Sequence, residues 1–286
     1  MKELRLQYPV TLMCRVLSVS ASGYYAWVSR PLSNRAQEDL RLEVEISAAH
    51  KKTRQTYGPE RLQSELAGEG VCIGISRIKR LRKKLGIRCI QKKKFKATTD
   101  SKHKLPVAKN ILDQQFQVAG PNVVWVTDIT YIYTAEGWLY LAGHKDLFTG
   151  KIVGYAMGIR MTKDLIRQSL LMAVMAKHPE AGLIHHSDRG SQYCALGYRE
   201  LLNQYEMTAS MSEKGNCYSN APMESFWGIL KNELVYHRRY ETRQEAIRDI
   251  TEYIEIFYNR QRRQERLGFV SPAVYEQKFY AGQLTA

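Results

Sequence analysis

The stretch VVWVTDITYIYT, residues 123–134, constrains the fold more than any other part of the chain. β-branched and aromatic residues alternate along it, the period of a strand with one face on a core. GWLYLAGHKDLF and GKIVGYAMGI read as two further strands, hairpin-linked. TKDLIRQSLLMAVMAKH is an amphipathic helix opened by Thr162, AGLIHHSD a short buried strand, and ALGYRELLNQYEM a helix. TASMS reads as an edge strand and APMESFWGILKNELV as a helix capped by Asn220. The order β-β-β-α-β-α-β-α predicts an α/β domain over 121–238, a mixed five-stranded sheet with flanking helices. The tail, 239–286, is expected to be helical, with RQEAIRDITEYIEIFYNRQRRQ as one long helix.

The part before residue 121 has another character. Residues 1–110 hold 24 Lys and Arg against 9 Asp and Glu, whereas residues 111–286 hold 19 of each. The whole formal net charge of +15 therefore lies at the front, which suggests a polyanion-binding end joined to a neutral body. Within 1–33, Val10–Leu17 has helical apolar spacing and a polar turn before Tyr24, Tyr25 and Trp27. That pattern fits a helix-turn-helix or a plain helical hairpin. Over 34–90, Leu40 and Val44 suggest one helix, and YGPERLQSELAGEG starts another at Pro59, with Leu62 and Leu66 four apart and Gly68 and Gly70 as stops. Ser76 would cap a third, RIKRLRKKLG, closed by Gly86. There Ile78, Leu81 and Leu85 share one face and Lys79, Arg80 and Lys83 the opposite one. From Arg77 to Lys96 there are eleven basic residues and no acid. An apolar back with a cationic front suits a helix lying on DNA, the alternative being a solvated basic face. Candidate phosphate contacts are Arg77, Lys79, Arg80, Lys83 and Lys84, with Lys92, Lys93 and Lys94 in a basic linker over 91–120.

Several classes are unlikely to fit. No run of about 18 apolar residues exists, so no membrane span is expected. The first residues are interrupted by Arg15 and lack a small-residue cleavage site, which reads as no signal peptide. Five scattered cysteines form no C-x-x-C pair and read as reduced thiols. The expected location is cytoplasmic, in association with the nucleoid.

Three acids stand out by position. Asp128 interrupts a strand, where an uncompensated charge is costly. Asp188 ends the fourth strand, and strand ends are where open α/β sheets place ligands. Glu224 lies in the first turn of its helix, off the Met223, Phe226 and Leu230 core face, with Gly228 leaving space one turn later. Each has a plain alternative: a strand acid paired to lysine, a turn residue before Arg-Gly, an exposed helix acid. Together they suit Mg²⁺, which takes oxygen ligands and retains waters. His185 and His186 read as strand-end packing and hydrogen bonding.

Asp188 and Glu224 are separated by 35 residues, with Asp128 upstream. The words WVTDITYI, HSDRGSQY, SMSEKGNCYSNAPMESFWGILKNEL, YNRQRRQERLG, YGPERL and CRVLSVSASGYYAW accompany them. Across nearly the whole chain these resemble the OrfB-type transposases of the insertion-sequence-three family, within the DDE transposase and retroviral integrase superfamily. The resemblance implies an RNase H-like core in which Asp128, Asp188 and Glu224 hold two Mg²⁺ ions, with Mn²⁺ as a substitute. It implies water-driven release of a 3′-OH at element ends, then attack of that hydroxyl on another phosphodiester. It implies double-stranded DNA partners, the terminal inverted repeats and the target, an OrfA or OrfA–OrfB fusion partner, and a homo-oligomer on DNA. Arg189, Gln192, Tyr193, Asn220, Lys231 and Arg262 are further candidate DNA contacts, and Asn259, Arg260 and Arg263 candidates for DNA or partner contacts. Two positions depart from the family pattern: Ser219 where Asp is frequent, and Gln264 where His is frequent. Rival readings are a two-metal nuclease without strand transfer and a non-catalytic DNA-binding relic.

Overall fold

The computed structural model describes residues 1–90, 106–213 and 219–282. Strands β1 (Val124–Thr134), β2 (Gly137–Asp146), β3 (Ile152–Gly158), β4 (Ile184–Ser187) and β5 (Thr208–Met211) form one sheet in the order β3-β2-β1-β4-β5. β1–β2 and β2–β3 are antiparallel, and β1–β4 and β4–β5 are parallel, so the sheet is mixed as expected. The alternation of β1 divides two cores. Trp125 joins the helices α6 (Lys163–Lys177) and α7 (Leu196–Gln204) through Ile166, Leu170, Tyr198 and Leu202. Val124, Val126 and Ile132 join the helix α8 (Ala221–Glu233) through Met223, Phe226 and Leu230.

The front end comprises α1 (Val10–Val16), α2 (Ala21–Ser29), α3 (Asn34–Lys52), α4 (Pro59–Gly68) and α5 (Ile75–Lys84). The helix expected from Leu40 and Val44 is present as α3, in which both residues are exposed and Leu42, Ile46 and Ala49 are buried. Both sets recur at helical spacing, so tertiary packing chose between them. The N-cap of α5 is Gly74, not Ser76, which lies inside the first turn.

The front is not a separate bead. Ile46, Leu62, Leu66, Ile78 and Leu81 share one apolar cluster with the α8 face and the tail residues Ile250, Phe257 and Tyr258. Arg263 binds Glu65 at 2.7 Å, its backbone N–H donates to the Tyr57 hydroxyl at 2.7 Å, and Arg54 pairs with Glu252 while lying over Phe257. Residues 106–120 also depart from a free linker. Ile111 N–H donates to Ser210 Oγ, Met211 N–H donates to the Lys109 carbonyl, and Leu112 is buried. This segment covers the β5 edge, where unpaired backbone groups would otherwise face water.

The tail is not one regular helix. α9 (Arg243–Glu252), opened by a Thr242–Glu245 capping box, passes into a wider π-type segment, Tyr253–Gln261. That segment buries Tyr253, Ile254, Phe257, Tyr258 and Asn259. Asn259 exchanges two hydrogen bonds with the backbone of Ile152 on β3. α10 (Pro272–Tyr280) ends the described chain. Among the described residues no helix is long and apolar enough to cross a membrane, and Cys14, Cys72, Cys89 and Cys194 are free.

Candidate active site

The sheet register brings two carboxylates side by side. Val126 on β1 is opposite His186 on β4, and two residues further along each parallel strand stand Asp128 and Asp188. Glu224 comes from the first turn of α8, which two side chains hold against the sheet. Asn220 Nδ2 donates to the Thr127 carbonyl at 3.0 Å, and Lys145 Nζ donates to the Pro222 carbonyl at 2.9 Å. One turn beyond Glu224, Trp227 Nε1 donates to Asp128 Oδ2 at 3.1 Å. Gly143, the β2 partner of Asp128, makes this approach possible. A Cβ there would lie 2.8 Å from Met223 and 3.0 Å from Trp227.

The electrostatics are those of crowded negative charge. Burial, then the charge of Asp188, pushes Asp128 up to about 8. Burial and Asp188 also raise Glu224 above the usual carboxylate range. Among the described residues, no Lys or Arg forms an ion pair with Asp128 or Glu224, and the Lys231 ammonium lies over the Tyr131 ring, 5.0 Å from its centroid. The acids feel one another's charge, yet among the described residues no three His, Cys, Asp or Glu side chains converge as a closed ligand set. Hard oxygen donors under mutual repulsion fit a divalent cation, which would neutralise them and draw them together.

Gly190 shapes the loop that carries Asp188. Gly190 is absent from the positive-φ residues, so it is not needed for an unusual turn. Its value is proximity: its N–H donates to Asp188 Oδ1 at 2.9 Å, and a Cβ would lie 3.0 Å from that oxygen. This bond orients the carboxylate.

Several proposed DNA contacts are corrected by their burial. Tyr193 is 2% exposed and its hydroxyl meets Thr127 Oγ1. Asn220 is 5% exposed and, although at the N-cap, it clamps β1 instead of capping α8. Arg262 is 3% exposed and forks onto Glu233. Asn259 and Arg263 are spent on Ile152 and Glu65. Arg260 and Gln192 keep exposed or half-exposed positions, and Arg189 Nε donates to the Ser212 carbonyl at 2.6 Å. Lys231 is half-buried. Of the two departures, Gln264 is 7% exposed, and Ser219 is 1% exposed with its Oγ unpartnered, so it does not cap the helix.

On α5, three cations find acids on α3: Arg77 binds Glu38 and Asp39, Arg80 binds Asp39, and Lys84 binds Glu43. The acids missing from 77–96 thus arrive from earlier in the chain. Lys79 and Lys83 are exposed, without an ion pair among the described residues. Lys92, Lys93 and Lys94 lie outside the described residues.

Sequence reasoning missed Lys145, Trp227 and Gly143, because their roles depend on what stands across the sheet. The spacing of Gly143 and Trp227 from Asp128 carries no local signal.

A mixed sheet with one carboxylate inside a central strand, a second just past the end of the adjacent parallel strand and a third on a clamped helix is the arrangement of a DDE-type polynucleotidyl transferase on an RNase H-like fold. Comparison with known proteins agrees. The integrase core domain matches residues 118–217 and again 224–279, and an HTH-like domain matches residues 36–95. The chain is 59% identical over 268 residues to the insertion element IS600 uncharacterized 31 kDa protein of Shigella sonnei, covering 94% of this chain and 98% of that one. It is 37% identical over 274 residues to transposase InsF for insertion sequence IS3A of Escherichia coli (strain K12), covering 95% of each. Among solved structures, the HTLV-2 integrase catalytic core domain in complex with magnesium aligns with a TM-score of 0.45 and 16% identity, over 56% of this chain and 99% of that one. The chain belongs to the IS3 family of DDE transposases.

Proposed function

We propose that Asp128, Asp188 and Glu224 are the catalytic carboxylates of a reaction that frees a 3′-OH at an element end and joins it to a second phosphodiester. One observation carries this reading: three acids from two strands and a clamped helix share one edge, with Asp128 raised to about 8 by burial and its neighbours. These residues would hold Mg²⁺, with Mn²⁺ as a substitute; two such ions, when bound, supply activation of the attacking oxygen and stabilisation of the leaving 3′ oxygen. The chain's own residues do the positioning. Trp227 orients Asp128, the Gly190 N–H orients Asp188, and Asn220 with Lys145 sets the height of Glu224 above the sheet. Exposed Lys79 and Lys83 on α5 contact DNA phosphates. The acting form is an oligomer on paired element ends, assisted by OrfA or made as an OrfA–OrfB fusion.

The test is a gel assay with labelled element ends in Mg²⁺ or Ca²⁺. Asp188→Asn and Glu224→Gln are expected to lose both cleavage and joining while retaining DNA binding. Ca²⁺ is expected to permit assembly without chemistry, because its looser coordination aligns the in-line attack poorly. Wild-type cleavage rates in Glu224→Gln would sink the assignment. Cleavage without joined product, with OrfA present, would favour a plain nuclease.

A further inference from the structure

Beyond Asp128, β1 carries aromatic residues on its outward positions. Tyr131 is 42% exposed, Tyr133 67%, and Trp138 on β2 46%. Tyr133 and Trp138 are register partners, and Trp138 makes edge-on contacts with Tyr131 at 5.0 Å and Tyr133 at 5.4 Å between centroids. An edge-on pair covers one face of one ring and leaves the other faces uncovered by that contact. A free hairpin would let them wander, but this one is tied to the tail. Arg243 Nε donates to the Trp138 carbonyl at 3.1 Å, its guanidinium to the Glu136 carbonyl at 2.6 Å, and Ala135 N–H to the Tyr240 carbonyl at 2.9 Å. Three exposed rings are thus held rigid where folding does not need them buried.

The surroundings suit a polyanion more than a protein surface. The Lys231 ammonium lies over the Tyr131 ring. Gly158 pairs with Tyr140, so the chain beyond it passes beside Trp138, and there Arg160 and Lys163 are exposed without an ion pair among the described residues. Glu136 at the turn is the opposing acid, and its carboxylate accepts the Arg243 backbone N–H. Tyr131, Tyr133 and Trp138 stand on the face of the sheet that Trp125 shares, opposite the one that carries Asp128.

We propose that Tyr131, Tyr133 and Trp138 form a stacking platform for unpaired bases of a DNA single strand bound outside the carboxylate site. Aromatic faces with flanking cations are how single strands are bound without base-specific contacts. The platform stands apart from the carboxylate assignment and is tested without chemistry.

The experiment measures binding of the intact chain in EDTA by fluorescence anisotropy to three labelled DNAs. One is a blunt duplex, the second adds a tail of about five thymidines, and the third replaces those with abasic sugar-phosphates. The thymidine tail is expected to tighten wild-type binding by about tenfold over blunt, within the range for base–aromatic stacking, and the abasic tail by far less. Trp138→Ala and Tyr133→Ala are expected to lose most of that advantage with blunt-duplex affinity unchanged, and Trp138→Phe to keep most of it. An abasic tail as effective as thymidines would overturn the platform, and that arm needs no variant. So would a full advantage in Trp138→Ala, or variants that change only the sedimentation of the chain, which would make the rings a protein contact. Asp188→Asn should keep the tail advantage, so a failed carboxylate assignment shows as surviving cleavage and a failed platform as a missing tail effect.

Discussion

Two polar clusters, one buried and one open toward solvent, lie on opposite faces of the same strands, and they are built on opposite plans. Behind β1, His144 Nε2 meets His185 Nε2 at 3.1 Å, Tyr198 OH meets His185 at 3.0 Å, and Ser169 Oγ meets His144 Nδ1 at 3.2 Å. Ser169 donates its proton to the Ile166 carbonyl, so His144 Nδ1 is the donor to Ser169, and Nε2 is left as an acceptor. Burial lowers His144 far below its ordinary value and His185 to about 3, so both rings are neutral. Every polar atom there has a partner, and nothing remains for a ligand. On the front face, Asp128 and Glu224 have raised pKa values and no ion-pair partner among the described residues. A satisfied cluster holds the sheet together, whereas an unsatisfied one stores a demand for an external charge. α5 repeats the contrast on a smaller scale, with Arg80 tied to Asp39 and Lys79 and Lys83 left open.

The sharpest test of this contrast compares matched variants in one assay. Asp188→Asn is expected to lower cleavage at least about a thousandfold, in line with removal of a central catalytic group, whereas Tyr198→Phe leaves the rate per folded molecule unchanged. Equal losses would erase the distinction between the faces. Next in size is Asn220→Ala, which frees the first turn of α8 from the Thr127 carbonyl. Displacement of Glu224 by about 1 Å predicts a loss of up to about a hundredfold in turnover with substrate binding retained. A change in KM alone would show that the clamp serves binding.

The histidine side should pay in stability. Tyr198→Phe is expected to cost about 1–3 kcal/mol in denaturant unfolding, since a buried hydrogen-bonding group is left without its partner. The pH limbs separate the two clusters further. A lowered histidine pKa favours the fold above about 6.5 and loses that contribution as pH falls toward 3. A raised carboxylate pKa does the reverse: its contribution is full below 3.8 and is lost as pH rises through about 8. Asp128→Asn in metal-free buffer should therefore raise Tm by about 2–4 °C at pH 8, for about 1 kcal/mol, with little change at pH 4. Mg²⁺ should raise wild-type Tm and leave Asp188→Asn less affected. The smallest effect concerns α5. Lys79→Ala with Lys83→Ala is expected to reduce the salt slope of DNA binding by up to about two, at about 0.9 per phosphate contact, and Arg80→Ala by less, because that cation is already spent. A larger change from Arg80 would reverse this division.

Much was legible before the fold was known. Asp128 declared itself because a charge inside an alternating strand is costly, Asp188 because it ends a buried run, and Glu224 because α8 turns its apolar residues elsewhere. Each is a local signal, read from periodicity within a few residues, and those positions hold in the elements observed. Periodicity found α3 at Leu40 and Val44 but did not tell that Leu42 and Ile46 take the inward face. Local pattern also misjudged Tyr193, Asn220 and Arg262, which are buried, with the Tyr193 hydroxyl and Asn220 Nδ2 on Thr127 and the Arg262 guanidinium on Glu233. A side chain's local pattern says which way it points, not what it meets there.

The sequence alone determined the order of strands and helices in the sheet domain, the basic front, and the elements on which the three acids stand, since these depend on near neighbours along the chain. The tertiary structure decided which charges are spent and which are open. Glu38 and Asp39 reach Arg77 across 38 to 39 residues, Asn220 reaches Thr127 across 93, and Arg263 reaches Glu65 across 198. Such pairings depend on how helices seat on the sheet, because an ion pair or hydrogen bond acts only over a few ångströms, however far apart its partners lie in the chain.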